Sequence, residues 1–154
     1  MDLEHLLGQK LLFAFHGKET LSPEIIEAFQ KYHPSGISLF RSLNIGTLAQ
    51  VRELNDSLQR LARDLDLPLL FIATDQEGGQ LMAIGDGTPL PGNMALGATR
   101  SAELARKAGE VLGREMSALG FNVNYAPCAD VNINPQNPVV GVRSFGEDPH
   151  LVAE

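Results

Sequence analysis

In Leu69-Leu70-Phe71-Ile72-Ala73-Thr74-Asp75-Gln76-Glu77-Gly78-Gly79 a short apolar run passes directly into two acids and two glycines. The run, introduced by Pro68, has the length and composition of a buried strand, predicted over residues 68–74. The end of a strand is a rigid base. Acids projecting from it are held in place, and the glycines let the backbone turn sharply or approach a ligand closely. The arrangement is suited to chemistry.

Working outward, strands and helices alternate. Leu11 to Phe15 and Gly36 to Phe40 read as further strands, and Phe121 to Ala126 as a fourth. Between the first two, Ser22-Pro23-Glu24 reads as an N-cap, a first-turn proline and a first-turn acid. Ile25, Ile26, Phe29 and Tyr32 follow at helical spacing, and Pro34 ends that helix. Leu48, Val51, Leu54, Leu58 and Leu61 form the stripe of a second helix. Ser101 caps a third, with Leu104, Ala108, Val111 and Leu112 expected inward and Gly120 at its end. Asp148-Pro149 repeats the cap-and-proline signal one turn before Glu154. Residues 80–100, rich in glycine and proline, lack either periodicity and are predicted to be a long loop over the strand ends, forming one wall of a pocket.

Strands separated by helices imply an α/β fold with parallel strands. An open doubly wound sheet and part of a (β/α) barrel both satisfy the pattern. No Gly-x-Gly-x-x-Gly follows the first strand, where His16-Gly17-Lys18 offers one glycine, so a dinucleotide fold is disfavoured. Polar and glycine-rich residues cluster after strands three and four, at the end of a barrel where active sites lie. A complete barrel needs about 250 residues. The 154 residues here supply four strands and three complete crossover helices. That predicts a truncated barrel with open strand edges and an uncovered inner face, which should pair with something or be a fragment of something longer.

A net charge of −7, with no basic stripe, argues against nucleic acid and anionic membrane surfaces as partners. Cys128 is the single cysteine, which rules out an internal disulfide and fits a reducing compartment. Met1-Asp2-Leu3-Glu4-His5 carries acids where a secretory leader would carry bases, and no apolar run approaches the roughly 18 residues of a membrane span. A cytoplasmic location is expected.

Asp75 and Glu77, two apart, would share a face on a continuing strand. Their separation would then be near 7 Å, against about 5–5.5 Å for the carboxylates of a retaining glycosidase, which argues against the two forming a complete acid/base pair. Asp75 otherwise reads as a turn or capping acid, and Glu77 as a buried ion pair or cap. Arg143, in Arg143-Ser144-Phe145-Gly146-Glu147-Asp148-Pro149, could fork onto sugar hydroxyls or a carboxylate, or pair at the surface with Glu147 or Asp148. Asp130 could orient a basic partner, or tie down its loop by accepting backbone hydrogen bonds. His16, Asp75, Glu77, Cys128 and Asp130 fall in no metal-ligand spacing, and no Gly-x-Ser-x-Gly elbow is present, so neither metal nor cofactor is expected.

Four segments in order carry a family resemblance: Asp75-Gln76-Glu77-Gly78-Gly79; Pro91-Gly92-Asn93-Met94-Ala95-Leu96-Gly97-Ala98; Asn124-Tyr125-Ala126-Pro127 with Asp130-Val131-Asn132; and Arg143 through Pro149. Together they resemble the N-terminal barrel of glycoside hydrolase family 3, nearest its bacterial β-N-acetylhexosaminidase branch. The resemblance implies that residues 1–154 are the first half of a (β/α)8 TIM-type barrel acting on terminal β-linked amino sugars by double displacement with retention. It implies that Asp75 holds hydroxyls of the sugar before the scissile bond, that Arg143 also contacts that sugar, and that Asp130 supports them. It implies that Glu77 supports the loop of Asp75. The family's acid/base histidine–aspartate pair and its nucleophilic aspartate would follow Glu154, so no catalytic residue is expected here.

Two departures stand out. The branch carries arginine where this chain has Gln80, and a second where it has Ala83, which leaves the exact glycan open. The alternatives are a non-catalytic sugar-binding or self-associating half barrel, or an enzyme of another barrel family such as an aldolase. Only the alternating pattern supports the last.

Overall fold

The computed structural model describes residues 3–154; the Met1-Asp2 start of the acidic N-terminal segment lies outside them. Helix α1 (Leu3–Gly8) precedes strand β1 (Leu12–Phe13). Helix α2 (Pro23–Tyr32), strand β2 (Gly36–Ser38), helix α3 (Leu48–Asp64) and strand β3 (Phe71–Thr74) follow. A hairpin of β4 (Gln76–Gly78) and β5 (Leu81–Met82) leads to the short helix α4 (Asn93–Ala98). Helix α5 (Ala102–Ala118), strand β6 (Val123–Asn124), a 3₁₀ turn (Gly141–Arg143) and helix α6 (Pro149–Ala153) complete the chain. Among the described residues no helix is long and apolar enough to cross a membrane.

Strands β1, β2, β3 and β6 form one parallel sheet in that order, the sequential order of a barrel wall, and the sheet is not closed. The strands are shorter than the apolar runs predicted, but the ladder extends past them. The N–H of Leu39 donates to Ala73 O at 2.8 Å, that of Tyr125 to Thr74 O at 3.0 Å, and that of Phe71 to Ser35 O at 2.9 Å.

The helix signals act as their chemistry requires, except that Ser22, at the N-cap of α2, makes no side-chain capping hydrogen bond. Pro23 opens α2, and His33 closes it in the left-handed region (φ 48°) just before Pro34. The Leu104 N–H donates to Ser101 Oγ at 3.3 Å, and the His150 N–H to Asp148 Oδ1 at 2.9 Å. Gly120, at φ 87°, ends α5. Phe29 of α2, Val51, Leu54 and Leu58 of α3 and Met116 of α5 pack against Ile37, Leu39 and Ile72 of the sheet, making one core on its helical face.

Two expectations are corrected. Residues 80–100 hold β5 and α4 rather than one loop. The helix is short and its Gly92 N-cap has no side chain to signal it; what holds it is close packing, since a β-carbon on Gly97 would lie 1.7 Å from Phe145 O. On α5, Ala108 and Leu112 are buried as expected, but Leu104, in the first turn, is 45% exposed.

Candidate functional site

The site is built at the carboxyl end of β3. Thr74, fully buried, donates its hydroxyl to Leu39 O at 2.8 Å and locks β3 to the neighbouring strand. The chain then turns into the β4–β5 hairpin through Gly78 and Gly79, both at positive φ (88° and 60°), where side chains would be strained. The buried Gln76 fastens the turn on two sides. Its backbone exchanges two hydrogen bonds of 3.0 Å with the Asn124 amide on β6, and its side-chain oxygen accepts from Ile84 N–H at 2.9 Å. The Ala83 N–H donates to Asp75 O at 3.2 Å.

The backbone of Asp75 is therefore held on both sides, while its half-buried carboxylate accepts no hydrogen bond from any described residue. It lines a cleft of about 390 Å³ with Phe40, Arg41, Gln80, Met82 and Ala83. That lies within the roughly 300–1,000 Å³ range of small-ligand clefts. Gln80 also lines a neighbouring cleft of about 480 Å³, bounded by Glu77, Asn93 and Arg143.

Glu77 points away from this role. Its side chain is 3% exposed and receives a bidentate fork from Arg143: Nε to Oε2 at 2.9 Å and Nη2 to Oε1 at 2.6 Å. This carboxylate is occupied by the Arg143 guanidinium, the buried ion pair that is one of the readings of Glu77. The same fork corrects the local pairing considered for Arg143, whose partner lies 66 positions earlier. Asp148 instead faces Arg100 at 3.7 Å and caps α6.

Arg143 is fixed at both ends. Asn93 Nδ2 donates to its carbonyl at 2.7 Å, and its Nη1 donates to Val139 O at 3.2 Å. A further N–H on each terminal nitrogen is left for a ligand. The hydrogen bonds to Glu77 hold the guanidinium pKa above its ordinary value; burial opposes this, and the charges of Glu77 and Asp75 add to it. Asp75 and Arg143 line neighbouring clefts that share Gln80.

The Asp130 carboxylate is exposed, with Cys128 Sγ 3.6 Å from Oδ2. Its loop is tied by its main-chain carbonyl, which accepts from the buried Ser144 hydroxyl at 2.5 Å, and not by its side chain. His16 is exposed and lines neither cleft. Among the described residues no three histidine, cysteine or acidic side chains stand together as a metal site. Asn93 and Arg41 are site residues that the sequence does not signal: Asn93 lies inside the segment 91–98 with no chemistry of its own to mark it, and Arg41 has no motif around it.

Residues 5–154 match the family model described as Glycosyl hydrolase family 3 N terminal domain. The chain belongs to this family. Among its relatives, β-hexosaminidase A of Pseudoalteromonas piscicida is 39% identical, over all of this chain and 29% of its own length. A solved family 3 β-N-acetylglucosaminidase from Paenibacillus sp. strain FPU-7 superposes with a TM-score of 0.94 at 44% identity, covering 99% of this chain and 29% of that one. NagZ from Neisseria gonorrhoeae, solved with N-trifluoroacetyl-D-glucosamine, gives 0.78 at 30% identity, covering 92% of this chain and 43% of that one. This family 3 chain thus spans less than half the length of each. Its four-stranded wall is the TIM-barrel-like architecture of those neighbours, left open.

Proposed function

We propose that residues 1–154 are the N-terminal half of a family 3 barrel domain whose whole protein removes terminal β-linked N-acetylglucosamine with retention of configuration. The observation that carries this is Asp75: a carboxylate on a backbone held from both sides, with no described donor, lining a cleft at a strand's carboxyl end. Such a group accepts hydrogen bonds from ligand hydroxyls without first giving up protein partners. Arg143, aligned by Glu77 and Asn93, supplies donors to the same sugar. Asp130 acts behind them by keeping the loop that ends at Ser144 in place. The relatives named β-hexosaminidase and β-N-acetylglucosaminidase support the amino-sugar substrate.

Catalysis in this reading needs a nucleophile and an acid/base from outside these residues: Glu77, two residues from Asp75, is bound to Arg143. The chain by itself binds and does not cleave. A cytoplasmic setting fits the single cysteine and the acidic composition.

The test is hydrolysis of an aryl β-N-acetylglucosaminide by the whole protein. Asp75→Asn should lower kcat/KM by about 100-fold or more, since polar sites built around a substrate hydroxyl discriminate strongly. Undiminished turnover in that variant, or a preference for the aryl glucoside, would sink the reading.

A second reading has its own observation. Leu12, Phe71 and Tyr125 on the inner face of the sheet are 41%, 53% and 45% exposed. In this version two copies cover each other as a non-catalytic sugar-binding module. Light scattering separates the two: a stable dimer of this chain favours the module, and a monomer removes it.

A further inference from the structure

Arg41 stands just past the second strand, two residues beyond the fully buried Leu39, and lines the same cleft as Asp75, Gln80, Met82 and Ala83. Its side chain is exposed. Among the described residues it enters no ion pair, and its hydrogen bond is a long one, Nη1 to Met82 O at 3.3 Å. Arg52, Arg60, Arg100, Arg106, Arg114 and Arg143 each face a carboxylate. Among the described residues Arg63, on α3, enters no ion pair either, but it does not line the Asp75 cleft; Arg41 does.

Across the cleft Asp75 holds an unbonded carboxylate, and the two do not pair with each other. An acceptor and a donor that line one cleft and leave each other free have room for a polar ligand between them. A neutral polyol meets both, because a hydroxyl donates to a carboxylate and accepts from a guanidinium. A carboxylated ligand would gain from Arg41 and be repelled by Asp75. The wall of this cleft also carries Gln80 and Ala83, the two positions where the family resemblance leads one to expect arginine.

We propose that Arg41 is a specificity-determining, ligand-positioning residue: from the end of the second strand it donates to an oxygen of the neutral sugar held by Asp75, replacing cations that the hairpin lacks. This rests on the sugar-site reading of Asp75.

The test is calorimetric titration of N-acetylglucosamine into the whole protein carrying Arg41→Met, Arg41→Lys or Asp75→Asn, with KM and kcat measured alongside. A charge-assisted hydrogen bond predicts about tenfold or greater loss of affinity in Arg41→Met, a raised KM, and partial recovery in Arg41→Lys. Arg41 is exposed, so thermal unfolding should not move. If Arg41→Met does not fold, Arg41→Gln carries the same comparison. Wild-type affinity in Arg41→Met together with lost binding in Asp75→Asn would overturn the role of Arg41 and leave the sugar site standing. Undiminished binding in Asp75→Asn would overturn the sugar site and this inference with it.

Discussion

The two faces of the four-stranded sheet carry similar apolar residues and meet different surroundings. On the helical face Ile37, Leu39 and Ile72 are completely buried, whereas on the other Leu12 and Phe71 alternate with them and remain 41% and 53% exposed. The difference is one of range. Each crossover helix is a near neighbour in sequence of the strands it covers, so the helical face is filled locally. The interior of a barrel is filled by side chains from strands around the whole ring. Stability in this chain therefore gathers on the helical side, and unsatisfied chemistry gathers on the rim and inner side.

Mutations can break that comparison. The largest effect should come from Leu58→Ala, in the α3 stripe at the centre of the core: about 3 kcal/mol of lost stability, read as a lower urea midpoint with an unchanged slope. A loss under about 1 kcal/mol would mean that the helical face is not the core. Glu77→Gln comes next, at about 1–2 kcal/mol, because a neutral amide cannot take both arms of the Arg143 fork. Asp148→Asn, whose partner Arg100 is exposed, is the surface control and should cost far less. Phe71→Ala on the inner face should change stability by about 1 kcal/mol or less. A cost matching Leu58→Ala would reveal a covering partner in solution. Smallest is Asp75→Asn, expected within about 0.5 kcal/mol of the parent, since no described donor depends on that charge. A large loss there would make Asp75 a structural acid and remove its readiness for a ligand.

Legibility followed the same division. The centres of the α2 and α3 stripes, the caps at Ser101 and Asp148 and the stop at Gly120 were readable because each depends on residues within a few positions, whereas Tyr32 and Leu48, at the stripe ends, are exposed. The helix α4 was not. Asn-Met-Ala-Leu-Gly-Ala has no capping side chain before it, and Gly97 earns its place only by contact with Phe145, far along the chain. Asp75 was legible as a candidate because a strand end and two glycines adjoin it. The partner of Arg143 was not, since local acids offered equally plausible pairs and Glu77 lies 66 positions away.

From the order of its residues alone, this chain determines an alternation of strand and helix, the helical side of its core, and an acid at the end of its third predicted strand. Periodicity, caps and turns are short-range physics, and each is written within a dozen residues. Which carboxylate is occupied and which is free was settled only in three dimensions. Glu77 and Asp75 are two residues apart, yet the fold delivers Arg143 to one of them and leaves the other facing a cleft.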